Sequence, residues 1–243
     1  MKHAFITAGR VLGQLRNDHR TVALLLIVPL VLTGLIAWVF NDTPGVFDRI
    51  GPAMLGVFPL VVMFIVTSVS TLRERISGTL ERLLTTPQSK GAFMGGYALA
   101  FGAVALVQAV LATTFAVYVC GLDIRGALWL LVLVAVADAV LGTALGLLAS
   151  GFARTEFQAV QFMPAFILPQ FLLCGLLVPR DNLPAGLKEF SDFLPLSYAV
   201  DAMNTLATRT DGTSDVLVDL GILAAFSLVS LALGALTLSR RTA

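Results

Sequence analysis

The chain has 243 residues, 57% of them hydrophobic and 13% charged, with a mean hydropathy of +0.90. A soluble domain carries about 45–50% apolar and about 25% charged residues, so a single core of this size has no room for the surplus, and lipid is its natural solvent. A net charge of +1 argues against a general nucleic-acid binder, and two cysteines with two histidines are too few for a zinc cluster or a disulfide framework.

The first 20 residues place Phe5, Ala8, Leu12 and Leu15 on one helical face, with Lys2, Arg10 and Arg16 elsewhere on the helix. This pattern predicts an amphipathic helix lying on the inner membrane surface. Six apolar stretches follow, at 21–40, 50–72, 94–120, 127–150, 158–178 and 216–238. Each is long enough for a helix to cross the hydrocarbon, and none alternates as a barrel strand does. The expectation is therefore an all-α polytopic protein with six membrane-spanning helices, forming one transmembrane domain over residues 1–243. The first stretch is too long for a signal-peptide core and is read as an uncleaved span.

Between spans two and three, residues 73–90 read R-E-R-I-S-G-T-L-E-R-L-L-T-T-P up to Pro87. Leu72, Ile76, Leu80, Leu83 and Leu84 share one helical stripe, while Arg73, Glu74, Arg75, Glu81 and Arg82 face water or a partner. Thr71 to Glu74 fits a capping box, so a fresh helix is expected to begin there, and Pro87 discourages its continuation. A short amphipathic helix tied to two spans is able to dock in another protein and pass motion to the membrane. An ordinary solvated loop helix has the same pattern.

Asp138 lies in the middle of span four, where a carboxylate is costly and marks function by default. Gln108 and Asp138 are equally far from the turn near Asp123, so an antiparallel hairpin sets them at one depth and predicts a hydrogen bond between them. Asp138 shares a face with Ala135, Gly142 and Gly146, which suits close helix packing. The favoured reading is structural, with Asp138 protonated against another helix. Span five holds Pro164 and Pro169, which predict kinks. Its Gln158, Gln161, Phe162, Phe166 and Gln170 suit a path for an amphipathic substrate, or packing against lipid or a second subunit. Residues 179–197, punctuated by Pro179, Pro184 and Pro195, predict a short extracellular or re-entrant helical segment with Leu187 and Phe190 on its apolar face. Cys120 and Cys174 are expected free, with a disulfide as the alternative.

With the N-terminus in the cytoplasm, eleven Lys and Arg residues lie inside and five outside. This bias sets both termini in the cytoplasm. Acidic residues sort the other way, four inside and ten outside.

The 73–87 run resembles the cytoplasmic loop of type 2 ABC transporter permeases, which carry a similar R-E-R-x-x-G-T-L-E-x-L-L-x-T-P sequence after the second span. A second likeness covers Leu173 to Gly175, Pro179, Leu183-Pro184 and Leu194 to Ala202, which look like the family's segment between spans five and six. Cys174 stands where the family often has Ser, and Asn204 where it often has Arg. The resemblance implies that Arg73, Glu74, Arg75, Gly78, Thr79, Leu80, Glu81, Leu84 and Pro87 form a coupling helix seated in an ATPase subunit. The sequence has no G-x-x-x-x-G-K-[ST] loop, so the chain is expected not to be an enzyme, with ATP and magnesium bound by the partner and no cofactor here. The resemblance further implies a homodimer or a pair of related permeases in a bacterial plasma membrane, in contact with lipid and without nucleic acid. Export of a hydrophobic drug, antibiotic or lipid is the expected activity. An intramembrane Ser–His protease is excluded, since both histidines precede the first span. An ion-coupled secondary transporter using Asp138 remains the alternative.

Overall fold

The computed structural model describes residues 2–43, 45–77 and 90–237. The predicted coupling residues Gly78, Thr79, Leu80, Glu81, Leu84 and Pro87 lie outside them, as do Arg240 and Arg241. The described residues form nine α-helices and no strand. They are α1 (Lys2–Asn17), α2 (His19–Val39), α3 (Val46–Ile76), α4 (Lys90–Tyr118), α5 (Leu128–Ser150), α6 (Glu156–Leu173), α7 (Ala185–Ser191), α8 (Pro195–Thr208) and α9 (Thr213–Leu236), with a 3-10 turn at Arg180–Asn182.

Five helices, α2, α3, α4, α5 and α9, are long and apolar enough to cross a membrane. The fifth expected stretch is the difference. Its helix α6 has 18 residues, about 27 Å at the ordinary helical rise, and its three glutamines and two prolines dilute its hydropathy. Connections alternate between two ends. One end carries Arg20, Arg73 and Arg154 and is called here the basic end. The other carries Asp48, Asp123, Asp201 and Asp215 and is called the acidic end. Trp38, Tyr118 and Trp129 all stand exposed at the acidic end, as aromatic residues do at a lipid–water boundary.

Helices α3 and α5 form the hub. In each, 67% of the apolar window is buried, against 17% for α2 and 22% for α9. The hub rests on backbone contact. A Cβ on Gly142 would lie 2.4 Å from the Leu60 carbonyl oxygen, and one on Gly146 would lie 2.6 Å from that of Phe64. The small face of α5 thus packs on α3, as close helix approach in lipid requires. Asp18 caps α2, accepting hydrogen bonds from the Thr21 amide (3.1 Å) and hydroxyl (2.6 Å). These bonds hold its carboxyl below the usual range.

Three local expectations are corrected. No helix starts at Thr71: α3 continues unbroken to Ile76, and the Thr71 hydroxyl is buried without a hydrogen-bond partner among the described residues. A four-residue capping pattern carries no weight inside a helix whose buried face continues through Leu72. Helix α1 buries Thr7, Ala8, Val11 and Leu15 against the bundle, while Phe5, Ile6 and Leu12 stand outward. The seat is tight, since a Cβ on Gly96 of α4 would meet the Ala4 carbonyl oxygen at 2.8 Å. Gln108 does not reach Asp138. Its Nε2 donates to the Leu25 carbonyl of α2 at 2.8 Å. Equal depth fixes height along a hairpin and not azimuth: Ala105, Ala109 and Ala112 bury one face of α4, and Gln108 points to α2. Cys120 and Cys174 are both free.

Candidate functional site

At the basic end, the last turn of α3 carries Arg73, Glu74 and Arg75, and each has a different environment. Glu74 is held inside the protein. Arg10 of α1 donates to both of its oxygens, at 2.9 and 3.1 Å, and the Tyr97 hydroxyl of α4 donates to it as well. Arg10 Nη2 also donates to the Tyr97 hydroxyl at 3.0 Å. With its amide turned to suit both neighbours, Gln14 donates to Glu74 at 3.0 Å and accepts from Arg10 at 3.2 Å. The side chains of Arg10 and Glu74 are 28% and 13% exposed, so this bidentate pair is shielded and stronger than a surface one. Tyr97 is itself fixed in the stack Phe93–Tyr97–Phe101. The result is a clamp joining α1, α3 and α4 at the point where α3 ends.

Arg73 pairs with Glu156 at the start of α6, at 2.7 and 3.0 Å, with both side chains about half exposed. Arg75 is half-buried, and its Nε and Nη2 have no hydrogen-bond partner among the described residues. Of the predicted coupling charges, Arg73 and Glu74 are therefore engaged within the chain, Arg75 has no partner for Nε and Nη2 among the described residues, and Glu81 lies outside them. Sequence reasoning missed Arg10, Tyr97 and Glu156 as partners. The only signal for them was their charge or hydroxyl at the same end of neighbouring helices.

The five predicted path residues separate. Gln158 closes the turn before α6 by accepting from the Arg154 amide at 2.8 Å. Gln170 is buried, donates to the Phe166 carbonyl at 2.9 Å, and accepts from the Leu196 amide at 3.2 Å, so it anchors the start of α8. Phe162 is partly buried and Gln161 exposed. Phe166 lies on the exposed side with its ring centre 6.2 Å from that of Phe64.

The acidic end holds a cleft of about 880 Å³ among the first turn of α3, the α4–α5 turn, the 175–188 segment, α8 and α9. Arg180 organises one wall. It pairs with Asp192 and Asp201, donates to the Ser191 hydroxyl at 3.1 Å, and lies over the Tyr198 ring at 5.6 Å. Burial raises the Asp201 carboxyl above its usual range, and Arg180 opposes that rise. Lys188 bonds Asp181 at 2.7 Å and holds it low. Leu187, Phe190 and Phe193 of the neighbouring segment stand exposed beside this polar wall.

Residues 5–206 match the family described as ABC-2 type transporter. The chain belongs to this family. Among the relatives of this ABC-2 chain is ABC transporter G family member 20 of Dictyostelium discoideum, 28% identical over 172 residues, which are 71% of this chain and 24% of that protein. The probable multidrug ABC transporter permease YbhR of Escherichia coli (strain K12) is 27% identical over 165 residues, 68% of this chain and 45% of its own. The linearmycin resistance permease protein LnrN of Bacillus subtilis (strain 168) is 26% identical over 164 residues, 67% and 42% of the two chains. The ABC-2 chain thus spans less than half the length of these relatives. It is a multi-pass membrane protein, with Asp138 fully buried in its hub.

Proposed function

We propose that the chain is the permease subunit of an ATP-driven exporter, with its basic end in the cytoplasm and the ATPase on a separate subunit that binds ATP and magnesium. The observation that carries this reading is the Glu74 clamp. Residues 73–90 join α3 to α4, and Glu74 binds that junction to α1 as well. A push on this segment reaches α3 and, through the backbone contact of Leu60 with Gly142, reaches α5. The segment Gly78–Pro87, which follows the half-exposed Arg73 at the end of α3, supplies the docking surface for the ATPase. Two permease chains assemble through the exposed face of α6, where Gln161 and Phe166 border the substrate path. The cargo is a hydrophobic drug, antibiotic or lipid moved outward, a reading favoured by relatives named for multidrug transport and linearmycin resistance.

The test is a mild-detergent pull-down of the tagged chain from its native host, comparing wild type with Gly78→Pro plus Glu81→Arg. Wild type is expected to retain an ABC ATPase, and the folded double variant to lose it. Recovery of no ATPase with wild type under any condition would overturn the ATP-driven reading.

A further inference from the structure

Asp138 lies fully buried on α5, and neither carboxyl oxygen has a hydrogen-bond partner among the described residues. A charge left so in a buried site is costly by several kcal/mol, and a carboxyl group escapes that cost by keeping its proton. Its surroundings are specific. The position a Cβ would take on Gly56 of α3 lies 3.7 Å from Asp138 Oδ2 and 3.5 Å from the sulfur of Met203 on α8. The carboxyl therefore occupies the notch that Gly56 leaves, and Met203 closes it.

The covering helix has two faces. Leu196, Ala199, Val200, Met203 and Leu206 are buried on the side toward the bundle. Asp201, Asn204, Thr205 and Thr208 line the cleft of the acidic end. Helix α8 is therefore the partition between cleft water and Asp138. Its polar ties to neighbouring segments are the Gln170 bond to the Leu196 amide, the Gly126 amide donating to the Leu206 carbonyl at 2.7 Å, the Tyr198 hydroxyl donating to the Asp192 carbonyl at 2.7 Å, and the Arg180 pair with Asp201. The titratable and charged neighbours are sparse. Gly56 and Gln108 on α3 and α4 are uncharged, Asp201 is on the far face of α8, and Asp215 and Asp219 of α9 lie at the cleft. Cys174, at the end of α6, is a buried thiol that donates to the Phe171 carbonyl at 3.3 Å.

We propose that Asp138 is a proton-binding site gated by α8. In this arrangement the helix seals the neutral carboxyl from the cleft. When α8 lifts, water enters, the carboxyl O–H bond breaks, the proton passes to water, and the carboxylate stays with its electron pair. Reclosure takes a proton back. The gate is a property of this chain and does not rest on the ATP-driven reading.

Infrared spectroscopy of the purified full chain in lipid nanodiscs tests it. Wild type at neutral pH is expected to show a protonated-carboxyl band that is absent from the isosteric Asp138→Asn variant and that shifts slowly on transfer to heavy water. Arg180→Gln loosens α8 from the cleft side, and Met203→Ala thins the cover directly. Both are expected to speed the isotope shift about tenfold or more, as exchange follows local opening. Hydrogen exchange of the α8 backbone amides, followed by mass spectrometry, checks the loosening. Met203→Ala decides alone if Arg180→Gln is not recovered folded. The proposal is overturned if Asp138→Asn keeps the whole band, or if Met203→Ala exchanges it no faster than wild type.

Discussion

The contact between α3 and α5 allows a sharp perturbation. In Gly142→Ala the new Cβ would meet the Leu60 carbonyl oxygen at 2.4 Å and the Leu60 Cα at 2.9 Å. These are backbone atoms of a helix held on every side, so no side chain is able to swing away. Restoring ordinary contact needs about 1 Å of separation between the two best-buried helices, and overpacking of this kind costs about 1–3 kcal/mol. Gly102→Ala on α4 is the matched control, because its Cβ would find only the Val140 methyl at 3.9 Å. There the gain in helix propensity, up to about 1 kcal/mol, has nothing to oppose it. Thermal unfolding of both variants in one detergent, followed by circular dichroism and by retention of a monodisperse peak, reads the difference. The two shifts should have opposite sign. Equal stability of Gly142→Ala and Gly102→Ala would refute the claim that backbone contact sets the hub.

Two further outcomes follow from the ion pairs and the α8 anchor. A double-mutant cycle on Arg10→Ala and Glu74→Ala should give a coupling of about 1–3 kcal/mol, because the pair is bidentate and shielded. The same cycle on Arg73→Ala and Glu156→Ala should give less than about 1 kcal/mol and fade with added salt, because both side chains are near half exposure. Gln170→Leu should leave the buried Leu196 amide unpaired, at a cost of about 1–3 kcal/mol. Its backbone exchange should rise at the start of α8 and stay unchanged in α5.

Much of the architecture is readable from hydropathy, since lipid demands long continuous apolar helices and α2, α3, α4, α5 and α9 fall where such runs occur. The small face of α5 is also legible, because Gly142 and Gly146 recur at helical spacing beside Asp138. What sequence does not carry is direction around a helix. Gln108 shares a depth with Asp138 yet turns to α2. On α1 the buried stripe rotates to include Thr7 and Val11 and leaves Phe5 and Leu12 outside, a choice made by the Gly96 notch on α4, a helix distant in sequence. Glu74 reads as a free surface charge in its own motif. Its enclosure depends on Arg10 and Tyr97, which only tertiary packing brings together. Helix α6 runs from the basic end to the acidic end, but its apolar run is diluted by Gln158, Gln161 and Gln170, two of which serve backbone amides.

The chain contains two tryptophans, Trp38 and Trp129, and both stand exposed at the acidic end, 77% and 64% accessible. Its tryptophan emission, excited at wavelengths where tyrosine does not absorb, therefore comes from one face of the bilayer. A brominated lipid tail quenches that light according to how deep this one boundary sits, and a water-soluble quencher according to how wet it is. Events at Glu74 leave the signal dark unless they travel the full height of the bundle. The two tryptophans thus form a one-sided receiver for motion started at the opposite end, with no label attached.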